Sequence, residues 1–236
     1  MEVTTREAAS VLGVTQGRVR ALIAAGTLRA RRVGTQWLID ADSVDHQAAL
    51  SAARATGRTM ATRVAWAVGD LLDGGSAAWL SSAERSRLRK RIGTARRSEV
   101  LQRWLASRAS RVLRFHVGES DLEALLSDEA VVRTGVSAAL AHGVGLSSGG
   151  DGAAYVTREA ADRLASQFFL IEARSGNLTL RLVDHDLHLR SARTVDNHRV
   201  APRVIVGVDL ADDSDVRTSG AGRELLESAL AEHQGR

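Results

Sequence analysis

Apolar and polar positions alternate along this chain with two different periods, and the switches between them lay out its elements. Near the start, Ala8, Ala9, Val11 and Leu12 give the apolar side of a short helix from Arg6 to Leu12, with Thr4 or Thr5 to cap it and Gly13 to end it. Thr15 then offers its hydroxyl as the N-cap of a second helix running to Ala25, closed by Gly26. There Val19, Leu22 and Ile23 share one face, which leaves Gly17, Arg20 and Ala24 on the other and Arg18 on the flank. Leu28–Val33 and Gln36–Ile39 read as strands joined by a short turn at Gly34 and Thr35. Asp40 can cap a third helix through Val44 into the alanines up to Ala53.

The run Ser51 to Thr59 has no large apolar anchor, which predicts a boundary there. The helical period resumes at Met60 with Val64, Ala65, Val68, Leu71 and Leu72, up to Gly74-Gly75. Ser81-x-x-Glu84 is a capping-box pattern opening a helix through Ile92. A helix over Ser98 to Ser107 would bury Val100, Leu101, Trp104 and Leu105. From there strands and helices mix: a strand over Ser110 to Val117, and a second capping box at Ser120-x-x-Glu123 leading to Leu126. A small-residue helix ends at His142-Gly143, the Ser147 to Gly152 loop follows, and Ala153 to Val156 reads as a strand. Thr157 caps a helix through Phe168. Phe169–Ala173 and Leu178–Val183 read as a hairpin across Ser175-Gly176-Asn177. Val204 to Val208 reads as a buried strand, and Ser219 to Glu232 as a closing helix. The expected class is α+β, with a winged helix-turn-helix over residues 1–50, a helical segment over 60–117 and an α+β domain over 118–236.

Charge sharpens this division. The total of +4 hides +1 over residues 1–46, +10 over 47–117 and −7 over 118–236. Hydrophobic residues make up 44%, enough for a packed core, and the absence of cysteine removes disulfides and thiolate metal sites. With no signal pattern and no apolar run long enough to span a bilayer, the expectation is a soluble cytoplasmic protein without a membrane partner. One lysine among 32 basic residues points to a GC-rich prokaryotic genome.

The second helix and the hairpin carry the chemistry. A small, cationic outer face suits a DNA groove, so Thr15, Gln16, Gly17, Arg18 and Arg20 are the expected reading positions, with Gln16, Arg18 and Arg20 on bases. Arg29, Arg31, Arg32, Thr35 and Gln36 would form a wing on phosphates. Arg85, Arg87, Arg89, Lys90 and Arg91 are five cations in seven residues, either a second DNA contact or a partner for acidic surface. Thr4 to Ile39 resembles the excisionase and MerR-type winged helix-turn-helix domains, over roughly the first 46 residues.

Thr134 to Gly143 (TGVSAALAHG) with the following AAYV strand is similar to a segment in which AbiEi-type antitoxins carry Gly-x-Ser-Ala…His-Gly. The tail from Val208 to Leu230 resembles their final strand and helix, so this likeness covers residues 60 to 236. It implies an antitoxin of a type IV toxin–antitoxin system that represses its own operon and neutralises a nucleotidyltransferase toxin. The head departs from that pattern in looking more like an excisionase.

Other constellations are weaker. Asp184-His185-Asp186-Leu187-His188, with His198 and Asp209, is the best metal candidate, although a polar connection after a strand explains it as well. His142 sits where a helix dipole alone favours histidine. The glycines of Gly143 to Gly152 lack the Lys-Ser/Thr of a phosphate loop. The sequence therefore predicts no enzyme, no cofactor and no metal. It predicts a sequence-specific regulator bound to double-stranded operator DNA, with a toxin and a second copy as further partners. An excisionase-like recombination factor and a ligand-responsive repressor are the alternatives.

Overall fold

The computed structural model describes residues 2–55, 59–173 and 175–235. The head begins with β1 (Glu2–Thr4) and α1 (Thr5–Leu12), followed by α2 (Gln16–Ala24). The hairpin β2 (Ala30–Val33) and β3 (Gln36–Asp40) comes next, then α3 (Ala41–Ala55). Thr4 and Glu7 close a reciprocal capping box on α1, and Gly13 ends that helix at φ +63°. Strand β1 was not foreseen. Its three residues pair antiparallel with β3, Val3 opposite Ile39, giving the order β1-β3-β2. Ala8, Val19, Leu28, Ile39 and Val44 fill a small core beneath it, with Trp37 packed against its edge. The boundary expected at Ser51–Thr59 falls on the end of α3 and on residues 56–58, which lie outside the described residues.

Helices α4 (Thr62–Leu72), α5 (Ser82–Ile92) and α6 (Ser98–Trp104) follow, and the Ser81–Glu84 capping box forms as expected. Strand β4 (Arg111–His116), helix α7 (Glu119–Leu126), strand β5 (Val132–Arg133) and helix α8 (Val136–Ala139) come next. After a 3-10 turn, β6 (Gly152–Thr157) leads into α9 (Arg158–Gln167), β7 (Ile171–Glu172) and β8 (Leu178–Val183). The chain closes with α10 (Leu187–Ser191), β9 (Arg193–Val195), β10 (His198–Val200), α11 (Arg203–Ala211) and α12 (Val216–Gln234).

Seven of these strands form one mixed sheet, ordered β7-β4-β8-β6-β5-β10-β9. Period-two alternation sends Leu178, Leu180 and Leu182 of β8 to one face, under α7 and α9. The other face meets α4, α11 and α12 in a core that runs from Met60 to Leu230. Residue 117 is therefore no boundary of the core: β4 lies inside the sheet, and Trp66 of α4 packs edge-on to Tyr155 of β6 at 4.9 Å. The fold is mixed helix and strand, a helix-turn-helix head on a sheet-containing body.

Four expectations are corrected. Val204–Val208 is not a strand but the interior of α11, begun by Pro202 and buried on every side, so its apolar run carries no helical period. This also removes the final strand that the likeness to AbiEi-type antitoxins implied in the tail from Val208. Phe169–Ala173 and Leu178–Val183 are not a hairpin, because β4 comes between β7 and β8 and takes hydrogen bonds from both. The pattern at Ser120 is not a capping box, since α7 starts one residue earlier with Gly118 as N-cap and no side-chain cap. Helices α11 and α12 cross at Gly207 and Gly222, where a Cβ on Gly222 would lie 2.3 Å from the Ala211 nitrogen.

Candidate nucleic-acid interface

Two helices joined by three residues, Gly13 to Thr15, present the start of α2 to solvent. The Thr15 hydroxyl accepts a hydrogen bond from the Arg18 backbone at 3.2 Å, which fixes the first turn. Val19 anchors the inner side at 0% exposure, while Thr15, Gln16, Gly17, Arg18 and Arg20 are all exposed. The first turn holds no acidic residue, so its free amides and the helix dipole remain available to an anion. Among the described residues no ion pair engages Arg18 or Arg20. Loss of the cap tests whether this helix is preformed: Thr15→Ala should cost about 0.5–2 kcal/mol of head stability, measured by thermal unfolding.

The wing is more heavily committed than its sequence shows. Arg31 makes a bidentate pair with Glu2 of β1 at 2.7 and 2.8 Å, and those hydrogen bonds hold the Glu2 carboxyl below its usual range. Arg29 pairs with Asp40 at 3.0 Å and donates to the Ser214 carbonyl, so it faces the body and is not placed as a phosphate contact of the wing. Arg32 reaches the Gly34 carbonyl at 3.2 Å. Arg32, Thr35 and Gln36 are exposed along the hairpin.

On α5 the five cations divide. Arg85 is half-buried and donates to the Leu80 carbonyl, and Arg91 lies over the Trp104 ring at 4.9 Å. Arg87, Arg89 and Lys90 are exposed, and no ion pair among the described residues holds them.

Behind the head lies a polar cluster that the sequence did not announce. Asp209, fully enclosed in α11, accepts from Arg108 at 2.7 Å, from Tyr155 at 3.2 Å and from Thr134. Arg181 brings its Nε to 3.0 Å of the same carboxylate without the alignment of a hydrogen bond. A second carboxylate, Asp212, takes Arg108 at 2.7 Å. Burial works most strongly against the Arg108 charge, but Asp209, Tyr155 and Asp212 together outweigh it and the group stays firmly protonated. Burial first and Asp209 second push the Tyr155 hydroxyl far up. Such a closed network binds elements together and offers no open reacting position. One sequence signal for it was visible: a lone aspartate in the apolar run Val204–Leu210 requires a partner.

The other singled-out residues are likewise occupied. His142 makes a 2.9 Å hydrogen bond with the Ala201 carbonyl, and Ser137 accepts from the Ala153 backbone. His185 accepts from the Leu187 backbone, and burial lowers His188 to about 4. With Asp209 enclosed by arginines, the metal candidate does not assemble, and no group of three or more ligating side chains comes together among the described residues.

No helix among the described residues is long and apolar enough to cross a membrane. Comparison with curated proteins and with solved structures finds no match. Residues 2–46 match the family model of the helix-turn-helix domain, the part of the chain that carries α1, α2 and the hairpin, and they supply a DNA-binding regulatory head.

Proposed function

We propose that the chain is a sequence-specific transcriptional regulator whose α2 enters the major groove, and that it acts as the antitoxin and autorepressor of a type IV toxin–antitoxin operon. The observation that carries the DNA reading is the first half of α2, capped and bearing exposed Arg18 and Arg20, which no ion pair among the described residues engages, within the matched domain. Gln16, Arg18 and Arg20 read bases, Arg32 holds phosphate, and Arg87, Arg89 and Lys90 add salt-dependent attraction. A head this small makes few contacts, so two copies on paired half-sites supply the affinity. The antitoxin role rests on the sequence likeness at Thr134 to Gly143 and the strand that follows, without the final strand of the tail. The reading assigns no catalytic step to the chain.

A promoter–reporter assay tests it: the protein should silence its own promoter, and a Gln16→Ala, Arg20→Ala variant should not. Co-expression with an adjacent nucleotidyltransferase should restore growth if the antitoxin part holds; rescue failing with repression intact would retain the regulator and discard the antitoxin.

The Glu2–Arg31 pair gives a second expectation. Glu2→Gln releases Arg31, so affinity should rise on all sequences alike and the slope of log affinity against log salt should steepen by about one. An unchanged slope would mean that Arg31 never reaches a phosphate.

A further inference from the structure

A cavity of about 820 Å³ lies where the head meets the open end of the sheet. Strand register places its floor. Arg114 of β4 stands opposite Thr179 of β8, which stands opposite Ala153 of β6, and Arg181 lies one row further along the same face. Tyr155, opposite Arg181 on the same face, is buried. The roof is the end of α2, Ala24 to Gly26, together with His46 of α3. Small residues line both sides, Ala24, Ala25 and Gly26 above and Gly135, Gly152 and Ala153 below, so no side chain fills the space.

The charges in this cavity are arranged in two groups. On the floor, no ion pair among the described residues engages the Arg114 guanidinium, and Arg181 pairs with only one carboxylate, Asp209. At the wall stand Asp151 and Asp213: burial and then the Asp213 charge push Asp151 up, while Arg114 pulls it down. Glu172 and Arg111 complete the ionic lining, and Asp209 and Asp212 are already bound to Arg108. An occupant therefore needs an anionic group for Arg114, Thr179 and Arg181, and hydrogen-bond donors for the two aspartates. A free amino acid would satisfy the charges but leave most of the volume empty, since sites of this size suit larger ligands. A nucleotide meets both conditions, its phosphate on the arginines and the donor edge of its base on the carboxylates.

We propose that this cavity is a nucleotide-binding site, with a preference for bases that present several donors to a carboxylate, guanine above adenine and adenine above uracil. Because its roof is the end of the recognition helix, an occupant bears on how α2 is held against the body. The DNA consequence, though not the binding itself, rests on the regulator reading above.

Isothermal titration of the full chain with GMP, AMP, UMP and orthophosphate tests the site without any DNA. GMP should bind tightest and UMP weakest of the three, with orthophosphate at least about tenfold weaker than GMP. Arg114→Ala should weaken GMP about tenfold to a hundredfold, and Ala153→Leu should abolish binding by filling the floor. Arg114 is exposed on β4 and no ion pair among the described residues engages it, so a thermal melt should show that variant folded. No binding at millimolar concentration, orthophosphate equal to GMP, or folded variants that keep full affinity would each overturn the proposal. Anisotropy titrations on promoter DNA with and without GMP form the second arm. A shift in DNA affinity supports the coupling, and GMP binding without a shift overturns the coupling while leaving the site.

Discussion

Asp209→Ala is expected to cost about 3–5 kcal/mol of folding stability, the largest single-residue effect on the fold. Its carboxylate is the shared acceptor of Arg108, Tyr155 and Thr134, and Arg181 lies within 3.0 Å of it. Arg108 is 3% exposed, so its charge has no route to water once Asp209 is gone, and Asp212 is left as its carboxylate partner beside the Leu105 carbonyl. The cost is that of a stranded buried cation and unpaired donors, more than that of the lost attraction itself. A domain is stable by only about 5–15 kcal/mol, so the variant should show a clearly lowered urea midpoint. Asp209→Asn keeps an acceptor and should lose less. Replacing Arg108 and Asp209 together by apolar residues should recover part of the loss, because no charge is then left unpaired. A cost below about 1 kcal/mol for Asp209→Ala would mean that water reaches the arginines.

Arg20→Ala is expected to weaken binding to the cognate operator by about 1–3 kcal/mol and to relax selectivity at one base position. Arg20 stands exposed on the side of α2 away from Val19, and its guanidinium is free to make a two-pronged contact with a guanine edge. The position along the helix matters as well. Ala24 and Ala25 end α2 on the side of the cavity, about 12 Å from Gln16 at 1.5 Å per residue. The end that carries Gln16, Arg18 and Arg20 is thus the one left for DNA. Arg32→Ala on the wing should instead weaken all sequences equally and lower the salt slope by about one. Affinities for a set of single-base operator variants distinguish the two, and identical selectivity profiles would refute the assignment of Arg20 to a base.

What the sequence disclosed follows the range over which its signals act. Thr4, Gly13, Thr15 and the Gly34 turn work within four residues of themselves, so the head could be read element by element. Strand β1 could not, since three residues show no period and its pairing with β3 lies some 36 positions away. That omission hid the Glu2–Arg31 pair and left Arg31 looking like a free cation. Helix α11 was misread because burial on all sides erases the polar face that separates a helix from a strand. The false hairpin at β7 and β8 shows that neighbours in sequence need not pair when a distant strand, here β4, fits between them. Arg108 and Asp209 are 101 residues apart, and nothing local to either one names the other. The exposure of Gln16, Arg18 and Arg20 on α2 was legible because it depends on one helix period. The commitments of Arg29, Arg85 and Arg91 were not, because they depend on tertiary packing.

The central claim is that α2 reads a specific sequence, and fluorescence anisotropy tests it most directly. The full chain is titrated at fixed salt against a labelled duplex from its own promoter and against a scrambled duplex of equal composition. The account predicts tighter binding to the promoter by a factor on the order of 10³, with the difference lost in Arg20→Ala. Equal affinity for the two duplexes would contradict it.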